Sequence, residues 1–485
     1  MIFVLALVVR VGLAVASSGG LSGNYGYDAG VYYASADALI HGRIPYGDFL
    51  LLHPPGLMLC LTPFAVIGRL TTDHTGFITA NLALSTLGAL NAALVTRIGR
   101  QLGLSRGAAL LGGAFYATWL GAAGAEFSVR LEPLGTFAFL CGLFLLLRRR
   151  EPSSRLLLLA GAAFGFAPMV KIWWSVPLLI VLAWQLGAPH RWQRIGRLSA
   201  GAAASWLVIA GPFFAMAPSA MWRMVVTDQL GRPASGAPTL NRLEQLSSLH
   251  AVAPHPGRAA ALIAVGLVAV VVVLLASAAW RPPACRLLVV VAGAQIVVLL
   301  ISPTYISYYS GYPAAAVALV LAAGADGRLS VRGIRLGRAA AGTVVAVTTA
   351  VLVVGVLAGK SSRIVAPFPG PALARAVVGV RCVVADSPMA LIELNTLSRG
   401  LANGCPNWVD VEGRTYDVDA AAGGGFVPRT RNRKWQTDAL RYLLSGDAVI
   451  LIRPAAGLNA GTVRAVRSHP VLARSHGYTV YRTGR

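Results

Sequence analysis

The chain has 485 residues, of which 56% are hydrophobic and only 12% are charged, and its mean hydropathy is +0.65. A soluble domain carries about 25% charged residues, so the composition excludes an ordinary soluble protein and indicates an integral protein of the plasma membrane. The net charge of +24 would suggest nucleic acid in a soluble protein. Here the basic residues cluster in short loops between apolar runs, so we expect membrane lipids and no nucleic acid. The predominance of Arg over Lys, with abundant Ala, Gly and Val, favours an actinobacterial source.

Apolar runs recur along the first 360 residues. Their bounds are 1–17, 76–96, 107–123, 132–147, 156–169, 173–187, 198–214, 259–280, 287–301, 313–325 and 340–358. The first run could be mistaken for a signal peptide, but Arg10 lies inside it and many apolar runs follow. We therefore predict a first span with a cytoplasmic N-terminus, and an all-α polytopic membrane protein of about 11 transmembrane helices.

The topology depends on residues 54–69. This segment begins with two prolines, contains Pro63 and is short, so we predict a helix in the outer interface rather than a span. Every major arginine cluster then lies on the cytoplasmic side, as the positive-inside bias requires. If 54–69 spanned the membrane, the later clusters would lie outside.

The composition changes near residue 360. Strand-like runs at 377–386, 447–454 and 477–483 alternate with helix-like stretches at 387–398 and 462–473. This alternation predicts a small extracytoplasmic α/β domain, residues 360–485, after a membrane domain, residues 1–359. On the outer side of the membrane, Cys382 and Cys405 could form a disulfide.

A polar outer loop, residues 18–75, follows the first span, and a loop of this length needs a functional reason. Asp28 lies where the span ends, and an ionisable residue at the membrane boundary suggests function. Asp is also favoured at helix N-caps, and a short amphipathic helix is predicted directly after it, at 29–41. Both interpretations stay open. Asp48 lies in a turn-rich PYGDF segment that favours a turn role, and Asp37 is expected to be solvated.

The loop contains the sequence DAGVYYASADALIHGRIPYGDFLLLHPPG. This resembles the first outer loop of GT-C fold glycosyltransferases, the superfamily of protein O-mannosyltransferases, aminoarabinose transferases and mycobacterial mannosyl- and arabinosyltransferases. Those loops carry an acid, a Tyr-containing interfacial helix, G-x-x-P-Y, a second acid and a Pro-Pro helix start. The matching positions are Asp28, Tyr32, Tyr33, Gly42–Tyr46, Asp48 and Pro54–Pro55. Many relatives have two adjacent acids at the first position, where this chain has Asp28-Ala29.

The resemblance implies a GT-C-like membrane domain with an outer catalytic loop. It implies an inverting glycosyltransferase that moves a monosaccharide from a polyprenyl-phosphate donor to an envelope glycan, lipid or protein on the outer face. Asp28 would take the proton of the acceptor hydroxyl, and Asp48 would orient the acceptor or assist. Nearby cations would stabilise the leaving phosphate.

Further donor-binding candidates lie at the predicted outer ends of the spans. Arg130 and Glu132, in SVRLEPL, resemble a shortened Arg-x-x-x-Leu-acid segment of the O-mannosyltransferases. Lys171 is flanked by tryptophans, so it could bind phosphate or anchor the chain at the interface. Tyr305 and Tyr308, in SPTYISYYSGYP, lie where relatives often contact the donor lipid; an interfacial aromatic belt is the alternative.

His53 could ligate a divalent metal ion with Asp28 and Asp48, since some relatives use one; capping or hydrogen bonding is the alternative. The segment CPNWVDVEG, at 405–413, reads as a surface loop that could hold an acceptor glycan against Trp408.

Two rival functions remain. A transporter or flippase for lipid-linked sugars would usually show internal repeats, and none is evident. A non-catalytic scaffold that binds cell wall through its tail would not need Asp28 in its motif.

Overall fold

The computed structural model describes residues 1–149, 151–232, 238–252, 257–326, 329–331, 334–336, 365–413 and 427–484. The chain divides into two compact units. The first comprises residues 1–13, 82–211 and 234–361, and the second comprises 14–81, 212–233 and 362–485. The sequence boundary at 359/360 assigned the first outer loop to the membrane domain, whereas the structure groups that loop with the C-terminal tail.

Most of the described chain is helical. In chain order the helices are α1 (Ile2–Val15), α2 (Tyr27–Ile40), α3 (Gly56–Leu70), α4 (Asp73–Gln101), α5 (Arg106–Thr118), α6 (Leu120–Glu126), α7 (Glu132–Leu146), α8 (Ser154–Val170), α9 (Ser175–Trp184), α10 (Arg191–Ile209), α11 (Gly211–Met216), α12 (Pro218–Trp222), α13 (Asp228–Leu230), α14 (Thr239–Leu246), α15 (Leu249–Val252), α16 (Arg258–Ala279), α17 (Pro283–Ile301), α18 (Gly311–Asp326), α19 (Gly370–Ala376), α20 (Pro388–Glu393), α21 (Leu397–Ala402), α22 (Arg433–Leu443) and α23 (Ala460–Arg467). The strands are β1 (Leu329–Val331), β2 (Ile334–Leu336), β3 (Val383–Ala385), β4 (Ala448–Ile450), β5 (Val471–Ser475) and β6 (Tyr478–Arg482).

The first unit is a helical bundle whose helices approach closely at small residues. α8 packs against α10, where a Cβ at Gly161 would collide with the carbonyl of Leu198 and one at Gly201 with the carbonyl of Leu158. α18 is alanine-rich and buried along most of its length, and it packs against α5, α16 and α17. Small residues at such contacts are typical of helix packing in membranes.

The predicted apolar runs correspond to helices, but the number of spans stays a prediction. Three of the described helices are long and apolar enough to cross a membrane: α4, α16 and α17. α5 and α6 would make a fourth span together, although they bend by 55° at Trp119. Several of the other predicted spans are shorter apolar helices, α1, α7, α8 and the 172–187 segment among them. The run 340–358 lies outside the described residues.

The second unit contains the predicted α/β tail. Its four-stranded sheet has the order β3-β4-β6-β5, in which β3 and β4 are parallel and the other pairs antiparallel. The helix predicted at 462–473 is wrong in its second half. α23 ends at Arg467, Pro470 follows, and residues 471–475 form β5 instead, because proline cannot continue a helix. The helix predicted at 387–398 is two short helices separated at Asn395, whose φ is 54°.

The first outer loop packs on this tail within the second unit. Asn24 forms a bridge with Ala366, and Gly19 donates its N–H to the carbonyl of Val365 at 3.0 Å. The predicted helix 29–41 is confirmed as α2, which packs against α20 and α3. At Gly30 a Cβ would lie 2.6 Å from the backbone nitrogen of Met389, so only glycine fits there. α2 is buried on nearly all sides rather than amphipathic.

Candidate functional site

Asp28 lies in the first turn of α2 and is half-buried. The N-cap residue is Gly26, with φ 96° and no side-chain cap, so the interpretation of Asp28 as the cap is wrong. A carboxylate in the first turn is favoured by the helix dipole.

Asp48 is exposed and stabilises a turn. Its carboxylate accepts a hydrogen bond from the Ile44 N–H at 2.7 Å, and its own N–H donates to the Ile44 carbonyl at 2.8 Å. Tyr46, inside this turn, has φ 69°, and Pro45 bridges to Phe49. The turn role that the sequence favoured for Asp48 is therefore present. A role in catalysis stays a prediction.

A network of tail residues surrounds Tyr27, the residue before Asp28, and the sequence did not reveal it. The Tyr27 hydroxyl donates to Asp410 Oδ1 at 2.7 Å and accepts from the Glu412 N–H at 2.7 Å. The pKa of Asp410 is raised to about 6, mainly by burial and in part by the negative charges of Glu412 and Asp28, against the lowering effect of its hydrogen bonds with Tyr27 and Gly413. Asp410 and Glu412 lie in the predicted surface loop 405–413, where alternating Val and acid residues in a basic chain were the available signal.

Asp37 is buried, which contradicts the expectation that it is solvated. Only 1% of it is exposed, and neither carboxylate oxygen has a hydrogen-bond partner among the described residues. Burial is the main cause that raises its pKa to about 8, followed by the charge of Asp73. Asp73 accepts hydrogen bonds from the N–H groups of Leu397 and Ser398 at 2.8 and 3.2 Å, at the start of α21.

The residues of the first loop that were predicted to bind substrate, Tyr32, Tyr33 and His53, separate into two groups. Tyr32 and His53 lie together, with ring centroids 5.7 Å apart. Tyr33 is fully buried, packs on Phe77 and donates its hydroxyl hydrogen to the Phe64 carbonyl at 3.3 Å. Tyr33 therefore has a packing role, and its predicted role in substrate binding stays a prediction.

In the first unit, the structure brings together Glu132 and Lys171. Lys171 Nζ donates to Glu132 Oε1 at 2.9 Å, and both side chains are buried. The same ammonium lies 3.7 Å from the ring centroid of Tyr309 and 4.1 Å from that of Trp173. The Lys171 ammonium is therefore enclosed by a carboxylate and two aromatic rings. Glu132 Oε2 has no hydrogen-bond partner among the described residues.

The remaining candidates of the first unit adjoin this pair through aromatic contacts. The Arg130 guanidinium lies 3.9 Å from the ring centroid of Tyr308, which packs edge-on against Tyr309. Tyr305 packs on Tyr309 as well, with centroids 6.2 Å apart. We call Arg130, Glu132, Lys171, Tyr305, Tyr308 and Tyr309 the cation–tyrosine cluster. Five of its members were predicted from the sequence, and Tyr309 lay in the same quoted motif.

Two predictions concern the tail, the disulfide and a glycan contact at Trp408, and the second stays a prediction. The disulfide between Cys382 and Cys405 is present. Trp408 stacks on Tyr442 with centroids 4.6 Å apart, so one of its faces is covered by protein. Among the residues that the structure describes, no three His, Cys, Asp or Glu side chains are placed to hold a metal ion, so His53, Asp28 and Asp48 do not form such a group.

Solved structures of known proteins match this chain over nearly its full length. ArnT from Cupriavidus metallidurans, bound to undecaprenyl phosphate, is 15% identical with a TM-score of 0.55, over 99% of this chain and 97% of that one. The Archaeoglobus fulgidus oligosaccharyltransferase, in complex with Zn and sulfate, is 14% identical with a TM-score of 0.57, over 96% of this chain and 69% of that one.

The chain has a GT-C fold.

The resemblance inferred from the first loop is thus confirmed for the fold. The matched GT-C structures are of glycosyltransferases. The A. fulgidus enzyme has also been solved with an inhibitory peptide and a dolichol-phosphate, and that structure matches with a TM-score of 0.55 at 14% identity, over 94% of this chain and 69% of that one. No protein-family model matches the chain, and neither does any curated protein.

Proposed function

We propose that this protein is an inverting glycosyltransferase that uses a polyprenyl-phosphate monosaccharide. The observation that carries the proposal is the GT-C fold over nearly the full length of both this chain and ArnT. The acceptor would be an envelope glycan, lipid or protein on the outer face of an actinobacterial plasma membrane, in cell wall biogenesis. About 11 spans, a cytoplasmic N-terminus and an extracytoplasmic tail complete the proposal.

Asp28 would be the general base. The acceptor hydroxyl oxygen forms a bond to the anomeric carbon while its proton passes to the Asp28 carboxylate. The bond between that carbon and the phosphate oxygen breaks, and its electron pair leaves with the polyprenyl phosphate. Attack from the face opposite the leaving group inverts the anomeric centre. The position of Asp28 in the first turn of α2, two residues after the N-cap Gly26, supports this assignment.

The cation–tyrosine cluster of the first unit would bind the donor phosphate. Arg130 keeps its guanidinium half-exposed over Tyr308, and a guanidinium suits bidentate contact with phosphate. Lys171 supplies a second positive charge nearby, held in place by Glu132. Cations aimed at the developing charge of a leaving group lower the barrier. The unpartnered Oε2 of Glu132 could accept a hydrogen bond from a sugar hydroxyl.

The other predicted residues have smaller roles. Tyr32 and His53 would contact the acceptor or donor from the second unit, where they pack together. Asp48 would act through the turn that it stabilises. A divalent metal ion remains a proposal for which the described residues offer no group of three ligands.

The test is transfer by purified protein in detergent. Radiolabelled undecaprenyl-phosphate mannose, arabinofuranose, galactosamine and glucose would be offered with an envelope glycan extract. We expect transfer from one donor, and a loss of about 100-fold or more in Asp28→Asn. Asp438→Asn is the matched control, because that carboxylate is partly exposed and pairs with Arg441 on the solvent face of α22. Equal transfer by native protein and Asp28→Asn would remove Asp28 from the mechanism. Movement of lipid-linked sugar across liposomes without transfer would favour the flippase.

A further inference from the structure

We propose that the tail loop 410–413 positions the base of the reaction by holding Tyr27 at the start of α2. The inference rests on the proposed function, because it concerns the residue that acts as base. Asp410 and Tyr27 would be positioning residues that act through Asp28. The sequence predicted a surface loop that could hold an acceptor glycan, but Val409, Asp410 and Val411 are buried, and the loop would instead belong to the machinery of transfer.

The contacts of Tyr27 are the first step. Its side chain is buried, with 7% exposed. The hydroxyl uses its donor function on Asp410 Oδ1 and an acceptor function on the Glu412 N–H, each at 2.7 Å. Both hydrogen bonds therefore go to the same short loop. Hydrogen bonds with an ionised partner are stronger than neutral ones, so this pair fixes the Tyr27 ring in one orientation.

The loop itself is held rigidly. Asp410 Oδ1 also accepts from the Gly413 N–H at 2.7 Å, and a Cβ at Gly413 would collide with the Asp410 carboxylate. Glu412 pairs with Arg429 at 2.7 Å and with Arg453 at 3.1 Å. The tail therefore offers Tyr27 an anchor that cannot shift easily.

Arg453 closes the network over the tyrosine. Its guanidinium lies 4.9 Å from the Tyr27 ring centroid, on the aromatic surface. Its backbone N–H and that of Ile452 donate to the two oxygens of buried Asp386, both at 2.8 Å. The Tyr27 ring is thus held at its hydroxyl end and over its face.

The start of α2 needs such an anchor. Gly26, its N-cap, has no side chain and φ 96°, so no capping hydrogen bond fixes the first turn. Tyr27 is adjacent to Asp28, and the Asp28 and Asp410 carboxylates are close enough for their charges to interact. The tail would therefore set both the direction of the Asp28 side chain and the field in which it takes a proton.

The test compares Tyr27→Phe and Asp410→Asn with two matched controls. Tyr25→Phe removes another buried hydroxyl of the same loop, which donates to the Gly20 carbonyl at 3.3 Å. Asp447→Asn removes another tail carboxylate, which accepts from the Cys382 N–H at 2.9 Å. Each variant would be assayed with the donor panel above, and kcat and KM would be measured across pH.

We expect Tyr27→Phe to lower kcat about 10- to 100-fold with little change in KM, as for a displaced catalytic group. Asp410→Asn should lower kcat in the same way, because it weakens the acceptor of the Tyr27 hydroxyl. Asp410→Glu should recover part of the rate. The controls should keep native kinetics. If Tyr27→Phe behaves like Tyr25→Phe while Asp28→Asn is inactive, this inference is overturned and the proposed function stands.

A second measurement does not need turnover. Hydrogen–deuterium exchange would be followed at the backbone amides of 27–33 in the same variants. Tyr27→Phe and Asp410→Asn should increase exchange there, whereas Tyr25→Phe should not. Unchanged exchange would overturn the positioning role. If no donor is used by native protein, the proposed function fails, and the exchange result alone decides whether the tail anchors the first turn.

Discussion

The buried carboxylate of Asp37 should make the protein less stable as the pH rises. The pKa of Asp37 is raised from 3.8 to about 8 by burial and by the charge of Asp73. The other groups that face it are His41, at 3.8 Å, and Arg69 and Ser398, which favour its ionised form. Below pH 4 the carboxyl is protonated in both the folded and the unfolded chain, so it carries no penalty.

Between about pH 4 and 8 the unfolded chain loses the proton while the folded chain keeps it. Stability therefore falls with pH, by about 1.4 kcal/mol per unit. From pH 5 to 8 the free energy of unfolding therefore falls by at most about 4 kcal/mol, and relaxation of the protein around Asp37 would reduce this loss. Above pH 8 the penalty is constant. Asp37→Asn, which is neutral and of the same shape, removes this dependence.

The assay is thermal unfolding in detergent, followed by size-exclusion chromatography of the remaining monodisperse fraction. Midpoints would be compared at pH 5, 6, 7 and 8 for native protein, Asp37→Asn and Asp438→Asn, the last a partly exposed acid of the same unit. The advantage of Asp37→Asn over native should grow with pH, and Asp438→Asn should show no such trend. A constant difference between Asp37→Asn and native across these pH values would refute the reasoning.

Three further predictions concern buried pairs and the disulfide. Arg10→Met should lower the free energy of unfolding by about 3–5 kcal/mol, because it leaves the buried Glu126 carboxylate without the guanidinium that lies 2.5 Å away. The thermal midpoint should recover in part when Glu126→Gln is added. Glu132→Gln should destabilise by a similar amount, and the double change Lys171→Met with Glu132→Leu should restore stability but not transfer. Cys382→Ser should cost about 3 kcal/mol in protease-resistance midpoints, since the bridge closes a 23-residue separation, and reductant should have the same effect on native protein.

Local patterns predicted much of the fold. The apolar runs and the short helix after Asp28 were found within a few residues, because helix formation depends on neighbours in sequence. The tail sheet was predicted as well. In the segment 462–473, which was predicted as one helix, Pro470 was the sequence feature that indicated a helix end before β5. The positions of Glu132 and Lys171 were predicted but their pairing was not, since hydropathy does not show which partner a buried charge meets 39 residues away.

Burial against distant segments explains the errors. Asp37 was predicted to be solvated because the acidic residue of a short amphipathic helix usually lies on the face that is exposed to water. Its neighbour Ser398, however, lies in the tail, far beyond the range of any sequence window. Asp410 was missed for the same reason, as its partner Tyr27 lies 383 residues earlier. This chain has only 18 acidic residues against 42 basic ones. Each acidic residue that has no ion-pair partner on its own helix is therefore a candidate for burial against a distant segment.

The pairing of the first loop with the tail imposes an order on biosynthesis. Ser18 hydrogen-bonds to Val365, 347 positions later in the chain, and Asn24 bridges to Ala366. At a synthesis rate of about 5–20 residues per second, the loop leaves the ribosome roughly 20–70 s before its partner exists. Until then Asp28 has no Asp410 and α2 has no α20 to pack on. The second unit can therefore complete its fold only after residues 365 and 366 have been synthesised, and a nascent or truncated chain that stops before them would leave the first loop without its contacts to the tail.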